Sequence, residues 1–155
     1  MKSTHIFCAL PCEAEPIIQH FKLSELKEYG LFRLFQSEDK DFSLTITDIG
    51  KLNAAAAVAY HHGCLTTSSA DIWLNIGIAG HASLPVGEAC IINKITDLQH
   101  NTNWYPQILF NPSCTNIPLV TVDTPSIDYQ ETLFDMEAAG FYSMALRLGT
   151  SELIH

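Results

Sequence analysis

Asp71-Ile72-Trp73-Leu74-Asn75-Ile76-Gly77-Ile78-Ala79-Gly80 decides the reading of the fold. Asp71 to Gly77 reads as a buried strand, because the apolar run Ile72-Trp73-Leu74-Asn75-Ile76 is short and bounded by turn residues. Gly77-Ile78-Ala79-Gly80 then makes a glycine-rich turn, and Pro85-Val86-Gly87 leads into another strand near Ala89 to Ile95. Upstream, Gly50 precedes Leu52-Asn53-Ala54-Ala55-Ala56-Ala57-Val58-Ala59-Tyr60, whose alanines favour a helix and whose small side chains permit close packing on a sheet. Leu31 to Phe35 and Phe42 to Thr47 alternate apolar with polar residues across a polar turn, as a hairpin does. His5 to Leu10 is a first strand, stopped by Pro11, and Glu13 to Leu23 a first helix.

Downstream, Asp97 to Pro118 is rich in Asn, Thr and Pro and reads as a long loop. Ile117 to Val122 is strand-like, and Asp135 to Leu148 carries helical spacing that ends at Gly149. Strands alternating with helices, plus a hairpin, indicate a layered α/β fold with a mixed sheet.

The chain has 155 residues, which suits one domain with its own core and no need of disulfides or a structural metal. Hydrophobic residues make up 47% and charged residues 16%, and mean hydropathy is +0.12, which excludes a disordered chain. No apolar run approaches the roughly 20 residues of a membrane span. A net charge of −9, with no local basic patch, argues against nucleic acid and anionic membrane surfaces as partners. The N-terminus carries no signal-peptide cleavage pattern, and five cysteines without a C-x-x-C pair suit reduced thiols, so a cytoplasmic protein is expected.

In α/β sheets ligands sit beyond the carboxyl ends of strands, and four such ends carry suggestive residues. Leu10-Pro11-Cys12-Glu13-Ala14-Glu15 puts carboxylates at a helix start, where they also suit the helix dipole. Thr47-Asp48-Ile49-Gly50-Lys51 is a strand-to-helix turn in which Lys51 is either functional or a solvated charge. The turn Gly77 to Gly80, followed by His81, exposes backbone N–H groups, but it is neither G-x-G-x-x-G nor a P-loop. Asp135-Met136-Glu137-Ala138 places a glutamate at a second helix start. His61, His62 and Cys64 lack a fourth ligand at recognisable spacing, so no metal is expected. Trp104 and Tyr105 are candidates for a lid or subunit contact.

In this order the four segments resemble the nucleoside phosphorylase superfamily, and most closely its purine nucleosidase branch, from about His5 to Leu148. The strongest elements are Ile49-Gly50-Lys51 with the alanine helix, Asn75-Ile76-Gly77-Ile78-Ala79-Gly80, and Met136-Glu137-Ala138. The resemblance implies a single three-layer α/β domain over 1–155, with a central mixed twisted sheet flanked by helices. It also implies hydrolysis of the bond between ribose and a purine, with 5′-thio-substituted nucleosides among the substrates considered, no cofactor, and a homo-oligomer. Glu13 matches the carboxylate that activates water, with Glu15 competing for the role. Glu137 matches the one that holds the ribose hydroxyls, and Met136 the residue against the sugar. Gly80 leaves room near the water, and Val122 and Asp123 match a wall beside the base. Asn75 and Ile78 stand where the phosphorylase branch has an arginine and a serine for phosphate; neither binds a dianion well, so water is favoured as acceptor over phosphate.

The family continues past this helix to a strand ending in Ser-Asp, whose aspartate protonates the leaving purine, and the sequence ends at His155 before it. The expectation is therefore a domain incomplete at its C-terminus and impaired in turnover. A nucleoside-binding or oligomer-forming remnant stands beside the hydrolase and the phosphorylase as a third reading.

Overall fold

Alternation along strand β1 (Thr4–Cys8) sends Ile6 and Cys8 to one face of the sheet and Phe7 to the other. Ile6 and Cys8 join Leu44, Ile46, Phe35 and Leu23 in a core closed by helix α1 (Pro11–Phe21) through Ala14, Ile17, Ile18 and Phe21. Phe7 joins Trp73 and Phe141 in a second core, under helices α2 (Lys51–Cys64) and α3 (Ala138–Leu148). Trp73 and Phe7 stack with their rings 5.7 Å apart. Helices thus cover both faces of the sheet, which is the three-layer α/β arrangement. The computed structural model describes residues 2–125, 130–149 and 153–155.

The remaining strands are β2 (Ser24–Glu25), β3 (Arg33–Gln36), β4 (Phe42–Ile46), β5 (Ile72–Asn75), β6 (Cys90–Asp97), β7 (Thr102–Trp104), β8 (Thr115–Thr121) and β9 (Leu133–Asp135). They pair as two mixed sheets, in the orders β2-β3-β4-β1-β5 and β7-β6-β8-β9. In the first, β1 lies parallel to β4 and β5, and β3 is the expected hairpin partner of β4. In the second, β6, β8 and β9 are parallel. An antiparallel bridge between Gly80 and Phe134, with two N–H···O bonds of 2.9 Å, stitches the turn after β5 to β9 of the second sheet. Residues 153–155 lie beside β5, Ile154 bridged in parallel to Trp73.

Two expectations are corrected. The segment from Asp97 to Pro118 is not one long loop: β7 turns back on β6, pairing Thr102 with Asp97, and β8 begins at Thr115. Pro118 sits inside β8 between two partner strands; it lacks an N–H for the ladder, and the register with β6 shifts there, between Ile92 and Lys94. Asp135 ends a strand rather than opening a helix, and α3 starts at Ala138. His61 and His62, adjacent in sequence, have different surroundings. His61 is buried against Thr45, Ser43 and His5, while His62 contacts Thr67.

Candidate active site

Pro11 at the first turn of α1 presets the helical backbone there, and Glu13 follows two residues on. The Glu13 side chain folds back so that Oε2 accepts the Leu10 N–H at 2.9 Å, while Oε1 accepts the Ile78 N–H at 2.9 Å from the turn after β5. Two backbone donors fix the carboxylate, and charge-assisted bonds of this kind are among the stronger ones in proteins. Gly77 makes the approach possible: a Cβ there would lie 3.3 Å from Glu13 Oε1. Glu15, by contrast, is exposed and accepts a bond from Gln19 one helical turn on.

Glu137 sits at the N-terminus of α3. Its Oε1 accepts the Gly50 N–H at 2.8 Å and its Oε2 the Met136 N–H at 3.2 Å. Gly50 has φ +108°, a conformation that favours glycine, and this aims its N–H across to Glu137. The two helix starts touch so closely that a Cβ on Gly140 would fall 2.0 Å from the Lys51 carbonyl oxygen. A side chain at residue 140 and the observed position of the Gly50-Lys51 turn are therefore incompatible.

Asp97, Thr121 and Asp135 stand in register at the carboxyl ends of β6, β8 and β9. Thr121 donates its hydroxyl to Asp135 Oδ1 at 2.7 Å and accepts the Ala139 N–H at 3.1 Å. Asp135 Oδ2 takes the Ala138 N–H at 2.6 Å and the Glu137 N–H at 3.2 Å. The first N–H groups of α3 are thus met by Asp135 and Thr121. Burial, joined by the neighbouring charge of Glu137, pushes the Asp135 carboxyl up to about 6 against the bonds from Thr121 and Ala138. Lys51 is no solvated charge: its Nζ lies 2.8 Å from both Asp97 and Asp123, with the side chain only 12% exposed.

One cavity of about 610 Å³ receives both glutamates. Glu13, Asn75, Ile78 and Gly80 line it from the side of β1 and β5, and Asp135 and Glu137 from β9 and α3. Its apolar wall includes Ile92, Leu119, Leu133 and Phe141. Of the residues singled out in the sequence, Glu13, Glu137, Ile78 and Gly80 come together here. Met136, Val122 and Asp123 do not line it: Met136 contributes its N–H to Glu137, the Val122 N–H donates to the Asp135 carbonyl, and Asp123 turns to Lys51. Asp135 is the functional candidate that sequence reasoning missed, because it reads as the flank of a helix. Its two-residue spacing from Glu137 at a strand end was the available signal. Among the described residues no group of three or more His, Cys, Asp or Glu side chains is placed to hold a metal ion.

Solved structures of nucleosidases and of a futalosine hydrolase share this fold. The chain superposes on the 5′-methylthioadenosine/S-adenosylhomocysteine nucleosidase of Neisseria meningitidis, solved with methylthio-immucillin-A, with a TM-score of 0.71 over 99% of this chain and 87% of that one, at 18% identity. The MTAN of Chlamydia trachomatis gives 0.76 over 96% and 76%, at 21% identity. A futalosine hydrolase mutant of Helicobacter pylori gives 0.69 over 96% and 84%, at 13% identity. No protein-family model and no curated protein sequence matches the chain.

Proposed function

We infer that the protein is a nucleosidase that hydrolyses the ribose–purine bond, with Glu13 as the base that activates water and Glu137 as the anchor of the sugar hydroxyls. The observation that carries this reading is the meeting of Glu13 and Glu137 in one cavity, although they lie at opposite ends of the chain. The volume is that of a small-molecule site. Each carboxylate suits its role, since one can accept a proton from water and the other can take hydrogen bonds from two vicinal hydroxyls. The fold shared with nucleosidases supports the same reaction class. Hydrolysis is favoured over phosphorolysis because Asn75 and Ile78, at the cavity wall, bring no positive charge for a phosphate dianion. The apolar wall formed by Ile92, Leu119, Leu133 and Phe141 suits an apolar 5′-thio substituent or the face of a purine.

The test is release of free purine from a panel of purine nucleosides, with and without a 5′-thio group and with and without phosphate. Release that needs no phosphate and is lost in Glu137→Gln supports the reading. Release that requires phosphate and yields ribose 1-phosphate identifies a phosphorylase, and nucleoside binding without any release identifies a non-catalytic binding protein.

A further inference from the structure

We propose that Asp135 is a positioning residue for Glu137, and that its charge state sets whether Glu137 is held ready for the sugar; this rests on the nucleosidase reading of the site. The geometry makes the link direct. Asp135 Oδ2 takes the backbone N–H of Glu137 itself and that of Ala138, and Oδ1 takes the Thr121 hydroxyl. Thr121 in turn holds the Ala139 N–H. Ionised, the carboxylate accepts from three donors and pins the start of α3, from which the Glu137 side chain reaches the Gly50 N–H. Protonated on Oδ1, it can still accept the two N–H groups through Oδ2, but it hands a hydrogen to Thr121 and loses the charge that strengthens those bonds. The helix start is then held by weaker, neutral hydrogen bonds.

Among the described residues Asp135 has no cation of its own. Glu137 faces it from the same turn, and from β8 only the Thr121 hydroxyl meets it. Asp97 lies across Thr121 on β6 and is bound to Lys51 and His100. Lys51, at the start of α2, is shared between Asp97 and Asp123. Besides Asp135 and Glu137, the titratable residues of the same cavity wall are Glu13, His81, Glu88, Cys90 and His155. Ionisation of Asp135 therefore occurs against burial and against a neighbouring negative charge, which push it up to about 6. An ionised Asp135 serves the reaction twice: it keeps Glu137 in place, and it adds negative potential beside a sugar that becomes positive as its bond to the base breaks.

The experiment follows purine release by the full chain between about pH 4.5 and about pH 8 for the wild type, Asp135→Asn and Asp135→Glu, with the ¹³C carboxyl signals of residues 135 and 137 recorded over the same range. Asparagine keeps an acceptor for the α3 N–H groups and offers its amide to Thr121, so it removes the charge while conserving the contacts. The expected wild-type kcat carries an acid limb centred near the Asp135 midpoint. Asp135→Asn lowers kcat at about pH 7.5 by roughly tenfold, abolishes that limb and raises KM severalfold because Glu137 anchors the sugar, and Asp135→Glu restores part of both. The Glu137 signal shows an inflection at the Asp135 midpoint that is missing in Asp135→Asn. An acid limb unchanged in Asp135→Asn, or a Glu137 signal blind to the titration of residue 135, overturns the proposal. A wild type that releases no purine at any pH overturns the nucleosidase reading instead, and the Glu137 signal then decides the coupling alone.

Discussion

Glu13 and Glu137 are each held by two backbone N–H groups, but the donors come from different places. Glu13 takes Leu10, three residues back in its own turn, and Ile78, from the turn after the adjacent strand β5. Glu137 takes its neighbour Met136 and then Gly50, which follows β4 in the other sheet. One glutamate therefore closes a contact within the first sheet, and the other clamps the two sheets together at the start of α2 and α3. Behind Glu137 stand Asp135, Thr121 and the bare backbone face of Gly140. Behind Glu13 stands Gly77. The difference teaches that position 137 is fixed by packing as well as by hydrogen bonds, whereas position 13 rests on its own turn and on the turn after β5, so disturbances should cost stability on the Glu137 side and chemistry on the Glu13 side.

The contrast breaks most directly at Gly140. Gly140→Ala drives a methyl group into the Lys51 carbonyl, against backbone at both ends, and is expected to cost about 3 kcal/mol or more in urea unfolding and to abolish nucleoside binding. Unchanged stability would show that the clamp is loose.

Next in size is the pH dependence. The Asp135 carboxyl is raised in the folded chain to about 6 from its ordinary value of 3.8, so the native state binds the proton more tightly than the unfolded one. Its contribution is fully present below the unfolded value and is lost as pH rises through about 6. Compared with Asp135→Asn, the wild type should lose roughly 2–3 kcal/mol of stability between about pH 4 and about pH 7. Thermal unfolding of the two proteins across that range measures it, and parallel curves would contradict it. His5 in β1 and His61 in α2 run the other way. Burial lowers both, against Asp71 in the case of His5, and their stabilisation, present above the ordinary histidine value, is lost as pH falls below it through their lowered folded values.

Two buried threonines sharpen the contrast at lower cost. Thr45 in β4 contacts His61 Nδ1 at 2.8 Å, and Thr121 at the end of β8 holds Asp135 and α3. Replacing either by valine removes a buried hydroxyl for about 1–2 kcal/mol, but only Thr121→Val should also slow purine release. Equal effects on release would erase the distinction between the structural polar cluster and the site. Smallest in stability is Gly77→Ala, whose methyl group meets the Glu13 carboxylate at 3.3 Å. A loss of a few tenths of a kcal/mol is expected, together with a severalfold drop in kcat because the carboxylate must yield.

Much of the layout was legible in the sequence because its signals are local. The apolar runs of β1 and β5, the alanines of α2 and the alternation of β3 and β4 each carry their own period. What stayed hidden depends on partners far along the chain. β2, β7 and β9 have two or three residues each and are strands only because a neighbour supplies the ladder. Pro118, inside the strand-like run from Ile117, is tolerated by the register shift beside it. In the site, Glu13 and Glu137 were visible at helix starts. Asp135 was not, since its burial and its place between Thr121 and Glu137 exist only once β8 and β9 pair. Val122 and Asp123 failed to reach the cavity for the same reason: pairing with β9 and the pull of Lys51 turn that segment away.

If the two glutamates act on one bound sugar in different ways, binding and turnover must separate when each is changed. Calorimetric affinity for a purine nucleoside, read alongside purine release for the wild type, Glu13→Gln and Glu137→Gln, tests this most directly. Glu13→Gln should bind within about threefold of the wild type while losing release by about a hundredfold, and Glu137→Gln should lose affinity by about tenfold or more. Full release from Glu13→Gln, or undiminished affinity in Glu137→Gln, would contradict the account.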